Sequence, residues 1–196
     1  MAAIDGKTVG ILATHMVEEA ELVDVQRYLT DAGAETVLVA PEPGEIQSFH
    51  DLERSFGKTY PVDVALEEAE IDDFDALYLP GGVGNPDMLR TNDDAVEFVR
   101  DFFNSGKPIG VICHGPWTLV EASVLQGRRI TSWPSLRTDI RNAGAEWVDQ
   151  EVVVDEGLVS SRKPDDIPAF AAKLIEEIRE GRHADRHATA GAEQRS

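Results

Sequence analysis

The sequence predicts an alternating α/β fold, a parallel sheet sandwiched between helices, with a reactive residue raised on a sharp strand-to-helix elbow at the sheet's carboxyl edge. Three observations carry this. Short apolar runs alternate with stretches of helical composition, as expected for strands of a parallel sheet covered on both faces. Two of those runs are stopped by Pro or Gly, at Ala40-Pro41 and at Leu79-Pro80-Gly81-Gly82. A third, Pro108-Ile109-Gly110-Val111-Ile112, ends at Cys113-His114-Gly115-Pro116, and Cys113 is the only cysteine in the chain.

Lys7 to Ala13 reads as the first strand and Glu18 to Ala32 as an amphipathic helix with Ala20, Val23 and Tyr28 among its apolar positions, stopped by Gly33. Thr36 to Ala40 is a second strand, and the stretch from Glu42 to Pro61, with Gly44 and Gly57, is an excursion such as a hairpin or interface loop. Ala76 to Leu79 is a strand and Asp93 to Asn104 a helix. The strand leading to Cys113 follows, and then helical composition from Pro116 through Leu125. Val152 to Ser160 reads as two short strands around an acidic turn, and Asp165 to Glu180 as a final helix ended by Gly181. Residues 1–181 are expected to form one domain, with 182–196 a disordered tail without apolar periodicity.

The chain has 196 residues, enough to bury a full core, and carries 18 basic against 37 acidic residues for a net charge of −19. Such a charge disfavours nucleic-acid phosphates as partners. The acidic pairs Glu18-Glu19, Glu67-Glu68, Asp72-Asp73 and Asp93-Asp94 are scattered, which predicts a solvated acidic surface of the kind suited to high salt. No apolar run approaches bilayer-spanning length and no signal-peptide pattern opens the sequence, so a cytoplasmic location and no membrane partner are expected. No Cys/His cluster has metal-binding spacing and no motif cradles phosphate, so neither a metal nor an organic cofactor is expected.

A lone cysteine after apolar residues also suits a core, but the Cys-His-Gly-Pro turn argues for chemistry. Small neighbours, Gly110 and Gly115, let the backbone pass through a strained elbow, and a helix starting just beyond the sulfur favours an acidic thiol.

Taken together, these residues resemble the DJ-1/PfpI superfamily, closest to its PfpI-like branch, from about Lys7 to Glu180. The resemblance rests on Glu18-Glu19-Ala20-Glu21-Leu22, Leu79-Pro80-Gly81-Gly82, Cys113-His114-Gly115-Pro116 and Thr131-Ser132-Trp133-Pro134 in that order, with Asn142 to Asp149 and Val159-Ser160-Ser161-Arg162 adding to it. It implies a flavodoxin-like fold with the cysteine at the sheet's carboxyl edge. It implies Cys113 as nucleophile and Glu18 as the glutamate that approaches the sulfur, holding a proton beside the thiolate. His114 would be a general base steadied by an acidic residue of a neighbouring subunit. Asp87 stands where PfpI-like proteins often have glutamate, on a segment one residue longer than their pattern. Gly82, Gly115 and the amide of His114 are the implied oxyanion and substrate-binding groups. His15, near the end of the first strand, either lines the site or is simply solvated.

The implied activity is that of a stress-response cysteine enzyme acting on carbonyl substrates. Methylglyoxal or glycated amino groups would make it a glyoxalase or deglycase, and peptides a protease or hydrolase. The other reading is a redox sensor or chaperone built on an oxidisable cysteine. A glutamine amidotransferase needs a downstream histidine, and after His114 the next are His183 and His187, in the expected tail. Assembly into a dimer or hexamer is implied by the resemblance alone.

Overall fold

The computed structural model describes residues 4–50 and 52–183. In chain order the elements are β1 (Thr8–Leu12), β2 (Val17–Glu18), α1 (Glu19–Asp31), β3 (Glu35–Ala40), β4 (Glu45–His50), β5 (Ser55–Pro61), β6 (Val64–Ala65) and β7 (Ala76–Leu79). They continue with α2 (Gly84–Leu89), α3 (Asp93–Asn104), β8 (Ile109–Ile112), α4 (Pro116–Glu121), β9 (Arg129–Ile130), α5 (Arg137–Asn142) and β10 (Glu146–Trp147). The last are β11 (Val152–Asp155), β12 (Leu158–Ser161) and α6 (Ile167–Glu180).

A seven-stranded sheet runs in the order β11-β12-β8-β7-β1-β3-β6. Every pairing in it is parallel except β11 against β12. That exception is the expected hairpin, and its turn places Glu156 and Gly157 at φ 48° and 80°.

Alternate side chains of each strand feed opposite layers. Val9, Ile11, Ala76 and Tyr78 pack with α1 and α6 through Leu22, Val25, Leu29, Phe170 and Leu174. Leu77, Leu79, Ile109 and Val111 pack with α3, α4 and α5 through Phe98, Val99, Phe102, Leu119 and Ile140. On β8 the position between them is Gly110, where a Cβ would lie 2.6 Å from Leu174 Cδ2 and 2.9 Å from Phe170 Cζ. α6 can therefore sit directly on the strand that carries the cysteine.

The helix α1 is rotated from the face the sequence suggested. Its buried residues are Glu21, Leu22, Val25 and Leu29, whereas Val23 is exposed and Ala20 and Tyr28 are half-buried. The excursion after β3 is an antiparallel hairpin, β4 on β5, and β4 also pairs with β2 beside the sheet's carboxyl edge. Glu19 fastens it there, its Oε2 accepting from Ser48 Oγ and from the Lys58 N–H, and these bonds hold the Glu19 carboxyl below its ordinary range. At the other end of the chain, His183 N–H donates to Gly106 O at 2.8 Å, so the segment after α6 is docked at least that far. The rest of the expected tail, and His187 with it, lies outside the described residues.

Candidate active site

β1, β7 and β8 lie side by side in the sheet, so the loops at their carboxyl ends converge. Cys113 follows β8 directly. Its N–H extends the β8–β12 ladder to Ser161 O at 3.1 Å, and the chain then turns sharply, with Gly115 N–H closing on Ile112 O at 2.9 Å. The turn puts Cys113 at φ 59°, a conformation that costs a non-glycine residue of order 1–3 kcal/mol. No Cβ fits at Gly115, where it would meet Leu79 O at 2.7 Å, nor at Gly81, where it would meet Cys113 Cβ at 2.7 Å. The two loops pass at glycine separation and leave Cys113 6% exposed.

The carboxylate at the sulfur is Glu21, not Glu18. Glu18 precedes α1 in extended conformation, φ −64° and ψ 118°, and lines the cavity wall. One turn later Glu21 lies on the buried face of α1, fully enclosed, and accepts the Gly81 N–H on Oε2 at 2.7 Å. It is hydrogen-bonded to Cys113. The α1 backbone is held in place there by Tyr78, whose hydroxyl donates to Glu21 O at 3.0 Å.

Burial, and then the Glu21 charge and hydrogen bond, push the Cys113 thiol well above the ordinary cysteine range, while the N–H groups of Gly82 and His114 pull it down. The acidic thiol expected from the helix start is thus overridden. Desolvation and a like charge in contact outweigh two amide dipoles. A proton shared by Sγ and the Glu21 carboxyl answers both costs, because neutral Glu21 no longer repels the sulfur and can donate to it.

His114 Nδ1 lies 3.2 Å from Cys113 Sγ and Nε2 lies 3.2 Å from Ser135 Oγ. Its ring sits between Trp117 and Trp133, centroids 5.2 Å and 6.0 Å away. Enclosure lowers its pKa from 6.5 to about 4, so the imidazole is neutral at neutral pH and has a lone pair to offer. Trp133 is placed by its own N–H, which donates to Cys113 O at 2.9 Å.

The remaining expected residues are divided. Gly82, at φ 78°, aims its N–H at the sulfur, as does the His114 backbone. Gly115 does not, since its N–H is committed to Ile112 O, and its part is steric. Asp87 is exposed in the first turn of α2 and does not line the cavity beside Cys113. His15 accepts the Gln47 N–H on Nδ1 at 3.0 Å and lines a different cavity.

The cavity at the sulfur has a volume of about 510 Å³. Cys113, His114 and Trp133 form its inner end, Val83, Leu52 and Pro164 its apolar walls, and Glu18, Glu53 and His50 its polar ones. Among the described residues no lysine or arginine lines it. The sequence reading missed Glu21, Ser135 and the hairpin residues. Glu21 had a signal: it shares the i, i+4, i+8 stripe with Val25 and Leu29, and an acid on a buried stripe calls for a partner.

This chain belongs to the DJ-1/PfpI family, whose model matches residues 7–177. It is 42% identical over 164 residues to Deglycase PfpI of Pyrococcus furiosus, covering 84% of this chain and 95% of that protein. It is 39% identical over 166 residues to General stress protein 18 of Bacillus subtilis, covering 84% and 94%. Among solved structures, a two-domain protein with DJ-1/ThiJ/PfpI-like and ferritin-like domains from Anabaena variabilis superposes with a TM-score of 0.81 at 30% identity. That match covers 97% of this chain and 53% of the other.

Proposed function

We propose that this protein is a cysteine-nucleophile enzyme of the stress response that acts on reactive carbonyl compounds or their adducts with amines, a deglycase or glyoxalase. The observation that carries the reading is the convergence at one sulfur of a buried carboxyl, a neutral imidazole and two backbone N–H groups, at the end of a cavity sized for a small adduct. Cys113 Sγ attacks the aldehyde carbon as its proton passes to Glu21, giving a hemithioacetal whose oxygen faces the Gly82 and His114 amides. Glu21 returns its proton to that oxygen, and the neutral His114 imidazole moves the proton from the attacked carbon to its neighbour, leaving a thioester on Cys113. Water releases the acid, so methylglyoxal plus water becomes lactate with no change in overall oxidation level. A glycated amine would leave the same intermediate as free amine.

The test is lactate formation from methylglyoxal without glutathione. Cys113→Ala should abolish it, Glu21→Gln should lower kcat by about 10²-fold or more, and Glu18→Gln should retain kcat within several-fold. Glu21→Gln as active as the parent would remove the carboxyl from the mechanism. No turnover by the parent protein on methylglyoxal or a glycated amine would end the enzyme reading.

A further inference from the structure

Far from this cavity, the last turn of α6 gathers three groups that carry lone pairs. Gly181 ends the helix at φ 88°, the chain doubles back, and the bond from His183 N–H to Gly106 O fixes the imidazole against the turn it has just left. Ligand atoms of Glu177, Glu180 and His183 all come within 4.8 Å of one another.

Glu177 is 7% exposed, and its Oε2 lies 2.9 Å from His183 Nε2. An ion pair at that distance should be a hydrogen bond, yet both atoms are buried and neither makes one. Two buried lone-pair atoms this close, with no hydrogen bond to either, are spaced like neighbouring ligands of one cation. Metal bonds of about 2.0–2.1 Å in near-tetrahedral or octahedral geometry set adjacent ligands about 2.9–3.4 Å apart. The carbonyl end of the helix adds negative potential.

We propose that Glu177, Glu180 and His183 form a binding site for a first-row divalent cation, with zinc the best match and water completing the coordination. An imidazole with two carboxylates suits zinc, whereas magnesium and calcium prefer oxygen throughout. Gly106 precedes β8 and Cys113 follows it, so the site stands at the opposite end of that strand from the sulfur. Its role is structural, tying the chain after α6 back to the last turn of that helix, where His183 N–H also reaches Gly106 O. The sequence carries no Cys/His cluster that would mark the site. These ligands sit at i, i+3 and i+6, and they meet only because Gly181 reverses the chain.

The experiment uses the full-length chain with Cys113→Ala, so that the thiol cannot bind the probe, stripped with a chelator. Zn²⁺ is titrated calorimetrically and Co²⁺ by its visible absorption. The expected result is one ion per chain, with a melting temperature that rises with free zinc. His183→Gln and Glu180→Gln should each weaken affinity about 10-fold or more while melting like the parent in the absence of metal. Absence of saturable binding up to about 100 μM zinc, or binding that both variants leave unchanged, would overturn the site.

Discussion

The enclosure of His114 makes a prediction about acid stability. In the unfolded chain the imidazole takes up its proton near the ordinary value of 6.5, and in the folded protein only near 4. Between these values the unfolded state binds more protons, so stability present above pH 6.5 is lost as the pH falls toward 4. At about 1.4 kcal/mol per unit the full loss is about 3 kcal/mol, an upper bound because the ring's edge faces the cavity. The carboxyls held low by their partners, Glu19 and Asp75, begin to cost stability only around and below pH 4.5. The window from 6.5 to 4.5 therefore isolates the histidine from them. Urea unfolding at half-unit steps should show the parent losing about 2 kcal/mol more than His114→Gln across that window. Parallel curves for the two proteins would refute the buried, neutral imidazole and with it the base assigned to the mechanism.

Two further outcomes follow from the surface. With a net charge of −19, the melting temperature should rise from low to molar potassium chloride, and a flat or falling series in a scanning assay would exclude high-salt adaptation. Leu52 in the cavity wall and Phe56 on the same hairpin are 88% and 65% exposed, and we expect a second copy to cover them. Leu52→Glu with Phe56→Glu should shift the mass measured by analytical ultracentrifugation toward the monomer, and a parent that sediments as a monomer would dispose of the idea.

The layering was legible because each strand announces itself by composition and by what stops it. Ala76 to Leu79 and Asp93 to Asn104 match the observed elements end to end, and the hairpin around Glu156-Gly157 was marked by its turn residues. Two-residue strands such as β2 and β6 left no trace, since their pairing is decided by neighbours distant in sequence. The elbow was legible from Cys113 and the glycines about it. Its acid was not, because Glu18 and Glu21 are chemically identical and the sequence shows neither where α1 starts nor which of its faces is buried. Placing Ala20 and Val23 on the buried face rotates Glu21 away from the sheet, whereas the observed face brings it to Gly81. The thiol's ionisation was misjudged for a related reason: a helix start is visible in sequence, but the depth of burial that outweighs it is not.

The first turn of α1 has two carboxylates at work in opposite directions, Glu19 outward to Ser48 and Lys58 and Glu21 inward to the sulfur. The hairpin that supplies Leu52 and Glu53 to the cavity wall is thus bolted to the same turn that sets the position of the proton carrier. Substrate range and proton transfer are not separable modules in this architecture. A hairpin transplanted from a relative to change what enters the cavity has to bring a serine at the position of Ser48, or it will also move the carboxyl that the reaction depends on.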